Sequence, residues 1–360
     1  MAMPSDIRAY NLYDSKKANE VIPKVLGHLR QPTYFRTALA LCRRLQFGRF
    51  LDSSYLFTNR QWDTQPGQTK TPWFYAFVDR GCRPETEVWL FGSWEVETTP
   101  PNETAPADGP KTKAPTDRAI RTLLLDFIKS IQKMPLPPPI HPPKAILAAQ
   151  TQLATPSNPP KLPDPTTLLF GAIHHLTVPH LQSLNLLRPP LLPPTPNHTF
   201  LFPISALPPP PKILPKNLRW GSLSAVHFPL VRSRTEIARQ DFTLASLPHV
   251  AIFRSDHPEE ENPDPVAWAF VGLDGSLTSL HVESEFRRLG LGRALVLRLF
   301  RGGEEGGEGG LMGRFWEDGV EKLAHGNVLV GNSASAGMCE ALGAVEGSVV
   351  FWVGVRVGGV

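Results

Sequence analysis

The stretch LTSLHVESEFRRLGLGRALVLRLF, residues 277–300, decides the fold of the C-terminal half of this chain. It begins as an alternating apolar strand that ends at Val282, passes through a turn of the form Arg-x-x-Gly-x-Gly, and continues into an amphipathic helix predicted over Arg293–Arg301. The first N–H groups of a helix have no intrahelical acceptor, and the helix dipole is positive there. The order strand, loop, helix therefore predicts an anion site.

The residues of the loop favour a diphosphate as the anion. Gly290 and Gly292 have no Cβ, so the main chain can approach a ligand closely, and Arg287, Arg288 and Arg293 add positive charge. The spacing fits neither the dinucleotide fingerprint Gly-x-Gly-x-x-Gly with its later acidic residue nor a Gly-Lys-Ser/Thr phosphate loop. The alternative is a flexible helix entry surrounded by solvated arginines.

Two motifs in order resemble one family. VESEFRRLGLGRAL resembles motif A of the GNAT superfamily of acyl-CoA N-acyltransferases, although Ser284 replaces the proline that is common there. VLVGNSASAGMCEALGA, residues 328–344, resembles the next strand and helix of that superfamily. The blocks at 218–237 and 268–282 are similar to the branch that includes glycine N-acyltransferase and its fungal relatives. The resemblance covers about residues 216–357 and is much looser over 1–100, where it includes GCRPETEVWLF at 81–91.

The resemblance implies transfer of an acyl group from acyl-CoA, acetyl-CoA or another, to a primary amine in a ternary complex. The loop amides would hold the diphosphate, the backbone of Val282 would pair with the pantetheine amides, and Asn332 would line the other side of the gap. The predicted cofactor-binding residues are Leu280, Val282, Arg287, Arg288, Leu289, Gly290, Leu291, Gly292, Arg293, Asn332 and Ser335. For Asn332, a helix-capping role is the alternative.

Two residues are predicted to handle protons. His281 has a suitable pKa for a base, but its side chain points away from that of Val282, toward either the acceptor or covering helices. Cys339 stands where the superfamily often has a tyrosine that protonates the leaving sulfur, and buried packing is its alternative role. Asp274 and Glu283 are weaker candidates, assigned to an Asp-Gly turn and to the solvated strand end.

The acceptor is predicted to be a small amine or an amino acid. Arg234, Thr235 and Arg239 belong to the segment that borders the acceptor pocket in the resembling fold, where an arginine can recognise a carboxylate. Solvated surface charges are the alternative. A catalytically silent CoA-binding protein is the second hypothesis for the whole chain, because Cys339 replaces tyrosine and no base is evident.

Composition limits the other classes of protein to which the chain could belong. A chain of 360 residues with 41% hydrophobic content suits two domains, and a net charge of +4 without basic runs does not predict nucleic-acid binding. The three cysteines have no paired spacing, so neither disulfides nor a zinc site is predicted, and no metal is expected. No apolar segment suits an export signal or a membrane span. We expect a cytoplasmic protein, with the nucleus as the alternative location; the sequence leaves its oligomeric state open.

The predicted fold is α/β (α+β), with a C-terminal GNAT domain whose mixed, mostly antiparallel sheet opens at the cofactor site. We place an N-terminal α/β domain, as a degenerate GNAT-like copy, at 1–132, a proline-rich connecting region at 133–215 and the GNAT domain at 216–360. The connecting region is expected to be extended and solvated around a short strand, Leu168–Ile173, and a short helix, Pro179–Leu187. The glycine- and glutamate-rich run at 302–310 is expected to be a mobile insertion.

Periodicity predicts the other elements. The predicted helices are Ile22–Arg30, Phe35–Phe47, Asp117–Ile131, Ala225–Val231, Ser233–Leu247, a stripe from Leu311 to Leu323, and Ser333–Leu342. The predicted strands are Trp73–Val78, Glu87–Trp94, His249–Phe253, Val266–Leu273, Ser276–Val282, Asn327–Gly331 and Val349–Val357.

Overall fold

The computed structural model describes residues 6–62, 71–96, 116–140, 144, 147, 164–188, 194–235, 239–255, 263–302 and 310–358. These residues divide into two compact units that interleave along the chain. Unit 1 comprises Met1–Ile140, Pro163–Pro196 and Ser348–Val360, and unit 2 comprises His141–Leu162 and Asn197–Gly347. The predicted division at residues 132 and 215 stays a prediction.

Unit 1 contains five helices and most of seven strands within the described residues. The helices are α1 (Ser15–Leu29), α2 (Pro32–Phe35), α3 (Leu39–Phe47), α4 (Asp117–Gln132) and α5 (Val178–Ser183). The strands are β1 (Arg8–Asn11), β2 (Ser54–Thr58), β3 (Phe74–Asp79), β4 (Val88–Gly92), β5 (Thr167–His174), β6 (Leu187–Arg188) and β13 (Val345–Arg356).

The sheet of unit 1 has the order β1-β2-β3-β4-β5-β13, with β6 also paired to β13. All neighbours are antiparallel except β4 and β5, which run parallel. Thr116 caps the N-terminus of helix α4, and the apolar face of this helix packs on the sheet. At its centre, the ring of Phe127 contacts Phe57, Phe74 and Phe170 with centroids 4.8–6.4 Å apart. This aromatic packing holds the core of unit 1.

Unit 2 is built from the remaining elements. Its strands are β7 (Pro196–Pro203), β8 (Leu218–Gly221), β9 (His249–Arg254), β10 (Pro265–Val271), β11 (Ser276–Val282) and β12 (Leu323–Leu329). Its helices are α6 (Phe228–Ser233), α7 (Asp241–Ser246), α8 (Leu291–Arg301) and α9 (Ser333–Ala341). Short 3-10 helices cover Ala225–His227, Ser284–Phe286 and Gly310–Phe315.

The sheet of unit 2 repeats the plan of unit 1. Four antiparallel strands, β8-β9-β10-β11, are followed by β12, which is parallel to β11, and then by the antiparallel β7. Helix α8 connects β11 to β12 as α4 connects β4 to β5. It buries Leu295, Val296, Leu299 and Phe300. The two units therefore have the same topology, which confirms the predicted mixed sheet and its second copy.

Several predicted elements need correction. The helix predicted over Ser233–Leu247 is not continuous: α6 ends at Ser233 and α7 begins only at Asp241. Leu323, predicted to end a helical stripe, begins β12, because its backbone pairs with β7. Strand β12 accordingly covers Leu323–Leu329 instead of Asn327–Gly331.

The proline-rich region also differs from the expectation of a solvated connector. Strand β7 lies inside it, and Phe200, Leu201 and Phe202 are buried. Prolines stand at both ends of β7, where a strand tolerates them, so the apolar residues between remain free to pair. Residues 303–309 of the insertion predicted at 302–310, and the prolines of 141–143 and 148–163, lie outside the described residues.

Candidate functional site

Strands β11 and β12 pair over only a short distance. Their parallel register joins Ser276 to His325 and Leu277 to Gly326, and no further pair follows. On its other edge β11 pairs with β10 as far as Val282. The part of β11 after Leu277 therefore presents an edge without a strand partner toward β12.

A bulge shapes this open edge. Strand β11 has one residue more than β10 between Thr278 and His281, and Ser279 has a φ of 50°, in the left-handed region. Glu283 N–H donates to Val266 O at 2.9 Å, so by the alternation of an antiparallel ladder the N–H and C=O of Val282 face the open edge. The Val282 carbonyl accepts a hydrogen bond from Arg287 Nε at 3.0 Å. The family resemblance assigns the backbone of Val282 to the pantetheine amides.

The Arg-x-x-Gly-x-Gly loop lies at the end of this strand. Arg287, Arg288, Leu289 and Gly290 are all exposed, and Gly290 takes a φ of 79° as the residue that precedes α8. Arg288 also has a positive φ, 63°, which is strained for a residue with a side chain. Turns that combine right- and left-handed residues can gather successive backbone N–H groups into a concavity that binds an anion, and the two left-handed residues of this loop fit such a turn.

Helix α8 begins against the end of β11. A Cβ built on Gly292 would meet only Val282 Cγ2, at 3.8 Å. The first backbone bond of the helix joins Ala294 N–H to Gly290 O, so the N–H groups of residues 291–293 precede the helical ladder. Leu291, predicted as a cofactor residue, buries its side chain in the core and leaves only its backbone at the loop.

Asn332 occupies the matching position beyond β12. Its side chain accepts a hydrogen bond from Ser335 N–H at 3.1 Å and caps α9, and the residue is exposed. The capping alternative is thus observed, while a contact with the cofactor stays a prediction. Leu280 is half-buried on β11, and Ser335 is half-buried on α9.

Two substitutions separate the two roles of Asn332. We expect Asn332→Ala to lower the free energy of unfolding by about 1 kcal/mol through loss of the cap. Asn332→Asp keeps a good cap and the stability, but its carboxylate would weaken CoA binding if the residue lines the cofactor gap. Thermal denaturation and calorimetry with CoA measure the two effects. Unchanged binding in Asn332→Asp would leave capping as the residue's role.

His281 lies on the face of β11 opposite Val282, as the alternation predicts. Its ring stacks on that of Trp268, its neighbour on β10, with centroids 4.8 Å apart. Its Nε2 is buried and lies 3.5 Å from Glu283 Oε2, which is a charge contact without a well-aligned hydrogen bond. Burial lowers the pKa of His281, against the opposing effect of Glu283. The imidazole is therefore neutral at pH 7, as a base must be.

Two arginines between α6 and α7, Arg234 and Arg239, lie beside the face of β11 that carries His281. Arg234 Nε donates to Glu283 Oε1 at 2.8 Å, and Arg239 donates to Thr278 Oγ1 at 3.2 Å. Within the described residues no carboxylate pairs with Arg239, and its Nε has no hydrogen-bond partner. The structure thus places Arg239 beside the face of β11 that carries His281, with Glu283 directly after the strand. The sequence had named these residues without grouping them, because grouping depends on the register of β10 and β11 and on the bulge.

Cys339 and Asp274 have surroundings of another kind. Cys339 is 1% exposed on α9, and burial raises the pKa of its thiol to about 11. Asp274 accepts hydrogen bonds from the hydroxyl and N–H of Ser276, beside Gly275 with its φ of 74°. Asp274 therefore belongs to the Asp-Gly turn, and Cys339 has the burial that the packing alternative predicts.

The described residues contain neither a metal-binding cluster nor a membrane-spanning helix. In the part of the chain that the structure describes, no three His, Cys, Asp or Glu side chains come together in a way that could hold a metal ion. Among the same residues, no helix has both the length and the apolar character needed to cross a bilayer.

Three solved structures align with nearly the whole chain. A Drosophila protein aligns over 98% of both chains with 12% identity and a TM-score of 0.55. A GCN5-related N-acetyltransferase from Sphaerobacter thermophilus covers 99% of this chain and 97% of its own, with 10% identity and a TM-score of 0.46. A tandem GNAT protein from the clavulanic acid biosynthesis pathway covers 99% and 100%, with 9% identity and a TM-score of 0.45.

Sequence comparison gives the family. No curated protein sequence matches the chain significantly. Residues 10–198, more than half of the chain, match the family model described as the N-terminal domain of the acyl-CoA N-acyltransferase verG. The chain therefore belongs to this family of acyl-CoA N-acyltransferases, within the GNAT superfamily.

Proposed function

We propose that unit 2 binds acyl-CoA, acetyl-CoA in the first instance, and transfers its acyl group to a primary amine. One observation carries the proposal: β11 loses its partner β12 after Leu277, and an arginine- and glycine-rich loop leads from the open edge into a helix start. An open strand edge pairs with the amides of pantetheine, and a helix start with outward N–H groups binds a diphosphate.

The reaction is a direct displacement. The amine nitrogen attacks the thioester carbonyl carbon, the C–S bond breaks, and CoA leaves as a thiolate. The proton lost by the amine is proposed to pass to His281 through Glu283, whose Oε2 lies 3.5 Å from Nε2 and whose side chain is partly exposed. Cys339 remains the second candidate, as the proton donor to the thiolate; its raised pKa keeps it protonated, but its burial opposes contact with the sulfur.

The acceptor is proposed to carry a carboxylate, as an amino acid does. Arg239 supports this, since its guanidinium lies beside Thr278 on the His281 face of β11 without an acidic partner among the described residues. A cation in that position binds a carboxylate by charge-assisted hydrogen bonds. We also propose that the protein acts in the cytoplasm.

Turnover tests the function directly. Purified protein is mixed with acetyl-CoA and either an amino acid or the matching amine without the carboxylate, and the release of free thiol is followed. We expect release that depends on both substrates and is faster with the amino acid. Equal rates for both amines would contradict the proposed role of Arg239. The absence of thiol release in all mixtures would contradict the proposed acyltransferase activity.

The pH dependence tests His281. Its pKa lies below the ordinary value of 6.5, so the neutral base is present above that pH and is lost as the pH falls through the lowered pKa. We expect kcat/KM to fall on the acidic side, below pH 6.5, as His281 takes up a proton. His281→Gln should lower kcat/KM by about a hundredfold and remove this dependence. If kcat/KM of His281→Gln still falls at low pH as in the wild type, another group accepts the proton of the amine.

A catalytically silent CoA-binding protein is the second candidate. His281 Nε2 and the Cys339 side chain are both buried. Their burial favours this second candidate, because neither group is in direct contact with solvent. Calorimetric binding of CoA without thiol release, across the panel of amines, would support this candidate against the enzyme.

A further inference from the structure

The two parallel strands of unit 1 also separate after a short stretch of pairing. Within the described segments, strand β4 pairs with β5 only at Val88 with Phe170 and Trp89 with Gly171. A bulge follows on β5, where Ala172 has a φ of 50°. By topology this is the counterpart of the open edge between β11 and β12, so unit 1 has a gap of its own.

Side chains of unit 1 bridge this gap. Trp94, two residues after β4, donates its indole N–H to Thr177 Oγ1 at 2.9 Å, and Thr177 lies between β5 and α5. The Thr177 hydroxyl in turn donates to Glu95 Oε1 at 2.5 Å. Thr177 is fully buried, and Glu95 and Trp94 are 2% and 8% exposed. The bridge thus joins the segment after β4 to the segment after β5 inside the protein.

The backbone accommodates the bridge at Gly92. A Cβ on this residue would lie 2.4 Å from the ring of Trp94, so only glycine allows the indole to fold back over the end of β4. Burial raises the pKa of Glu95 to about 8, so the carboxyl enters the bridge uncharged at pH 7. An uncharged acid is the form that a buried hydrogen-bond chain tolerates.

Little room remains beside the bridge. The cavity between α3, β4 and β5 has a volume of 20 Å³ and is lined by Glu95, His174 and the Trp89–Leu90 segment among others. That volume holds about one water molecule, whereas ligand pockets begin at about 300 Å³. His174 Nε2 is buried there without a hydrogen-bond partner, and such a water would satisfy it.

The described residues of unit 2 lack the equivalent connection. Asn332 precedes α9 as Thr177 precedes α5, but its side chain bonds to Ser335 of its own helix. Over the described residues it makes no hydrogen bond to the segment that follows β11. The gap of unit 2 is therefore open where the gap of unit 1 is bridged.

We propose that Trp94, Thr177 and Glu95 form an internal plug that occupies the cofactor gap of unit 1, so that each chain binds one acyl-CoA, in unit 2. The placement of that CoA rests on the proposed function. The plug itself rests on contacts within unit 1. The duplicated fold thus has one gap for a cofactor and one that its own side chains fill.

Thr177 offers a matched pair of variants, because its side chain makes no capping bond to α5. Thr177→Val removes the hydroxyl and keeps the shape, and Thr177→Ser keeps the hydroxyl. We expect amide hydrogen exchange in residues 88–95 and 172–178 to rise on the order of fivefold in Thr177→Val relative to Thr177→Ser. Trp94→Phe, which keeps a ring over Gly92 without the N–H, should give the same rise if Thr177→Val folds poorly. Equal exchange in Thr177→Val, Trp94→Phe and Thr177→Ser would overturn the plug.

Stoichiometry tests the second half of the proposal. Calorimetry of the full chain with CoA should give one equivalent in the wild type and in Thr177→Ser, and an affinity at least about 30-fold lower in Gly292→Asp, which alters unit 2 alone. An equivalent that keeps its wild-type affinity in Gly292→Asp would not use the start of α8 and would overturn the proposal. Absence of binding in the wild type would overturn the proposed function instead, and the exchange comparison would still decide whether the plug exists.

Discussion

Gly292→Asp is expected to lower the affinity for CoA at least about 30-fold, or ~2 kcal/mol, without loss of stability. The added carboxylate would stand in the first turn of α8, where the outward N–H groups are proposed to hold the diphosphate. Its Cβ meets only Val282, at 3.8 Å, so the side chain fits. An acid in the first helical turn also stabilises the helix by roughly 0.3–1 kcal/mol. Binding and stability should therefore change in opposite directions.

Gly292→Asn is the matched control for this substitution. It has the same size without the charge, so it separates the electrostatic effect from any steric effect. We expect its affinity to lie close to that of the wild type, and the difference between the two variants to shrink as salt is added, because salt screens exposed charges. Equal affinity in Gly292→Asp and Gly292→Asn would exclude a diphosphate at the start of α8.

Val353→Asp is expected to unfold unit 1, with a loss of at least about 4 kcal/mol in its free energy of unfolding. Val353 is 1% exposed on β13 and pairs with Phe170 of β5, in the core around Phe127. A carboxylate there would be buried without a partner. Hydrogen exchange should show loss of protection in β3, β4 and β5, more than 170 residues earlier in the sequence than the substitution.

Val345→Asp provides the control on the same strand. Val345 is 52% exposed, so the same change should alter the free energy of unfolding by less than about 0.5 kcal/mol. If Val353→Asp were equally mild, then β13 would not contribute to the core of unit 1, and the interleaved division of the chain would be wrong.

The sequence predicts local structure well where one pattern leaves little choice. Strand β11 has the predicted bounds because alternation from Ser276 to Val282 is framed by an Asp-Gly turn and by the loop. Helix α8 begins two residues before the predicted Arg293, since Gly290 takes the left-handed conformation that precedes the helix. In these segments local propensity and tertiary packing agree.

Prediction fails where a distant partner decides the structure. Leu323 fits a helical stripe by spacing, but pairing with β7 makes it part of a strand. The prolines at both ends of β7 obscure its strand pattern in the sequence. No local pattern near β13 indicates that this strand pairs with β5. In the candidate site, the loop follows from the sequence, whereas the stacking of His281 on Trp268 depends on a register that only the folded sheet defines.

The interleaved order of strands has a consequence for synthesis. The sheet of unit 1 is completed by β13, so during translation β5 emerges from the ribosome long before the strand that covers it. Until then it presents an unprotected edge, which invites pairing with other nascent chains. A fragment that stops near residue 198, although it contains the whole match to the family model, would keep that edge permanently and should aggregate when expressed alone.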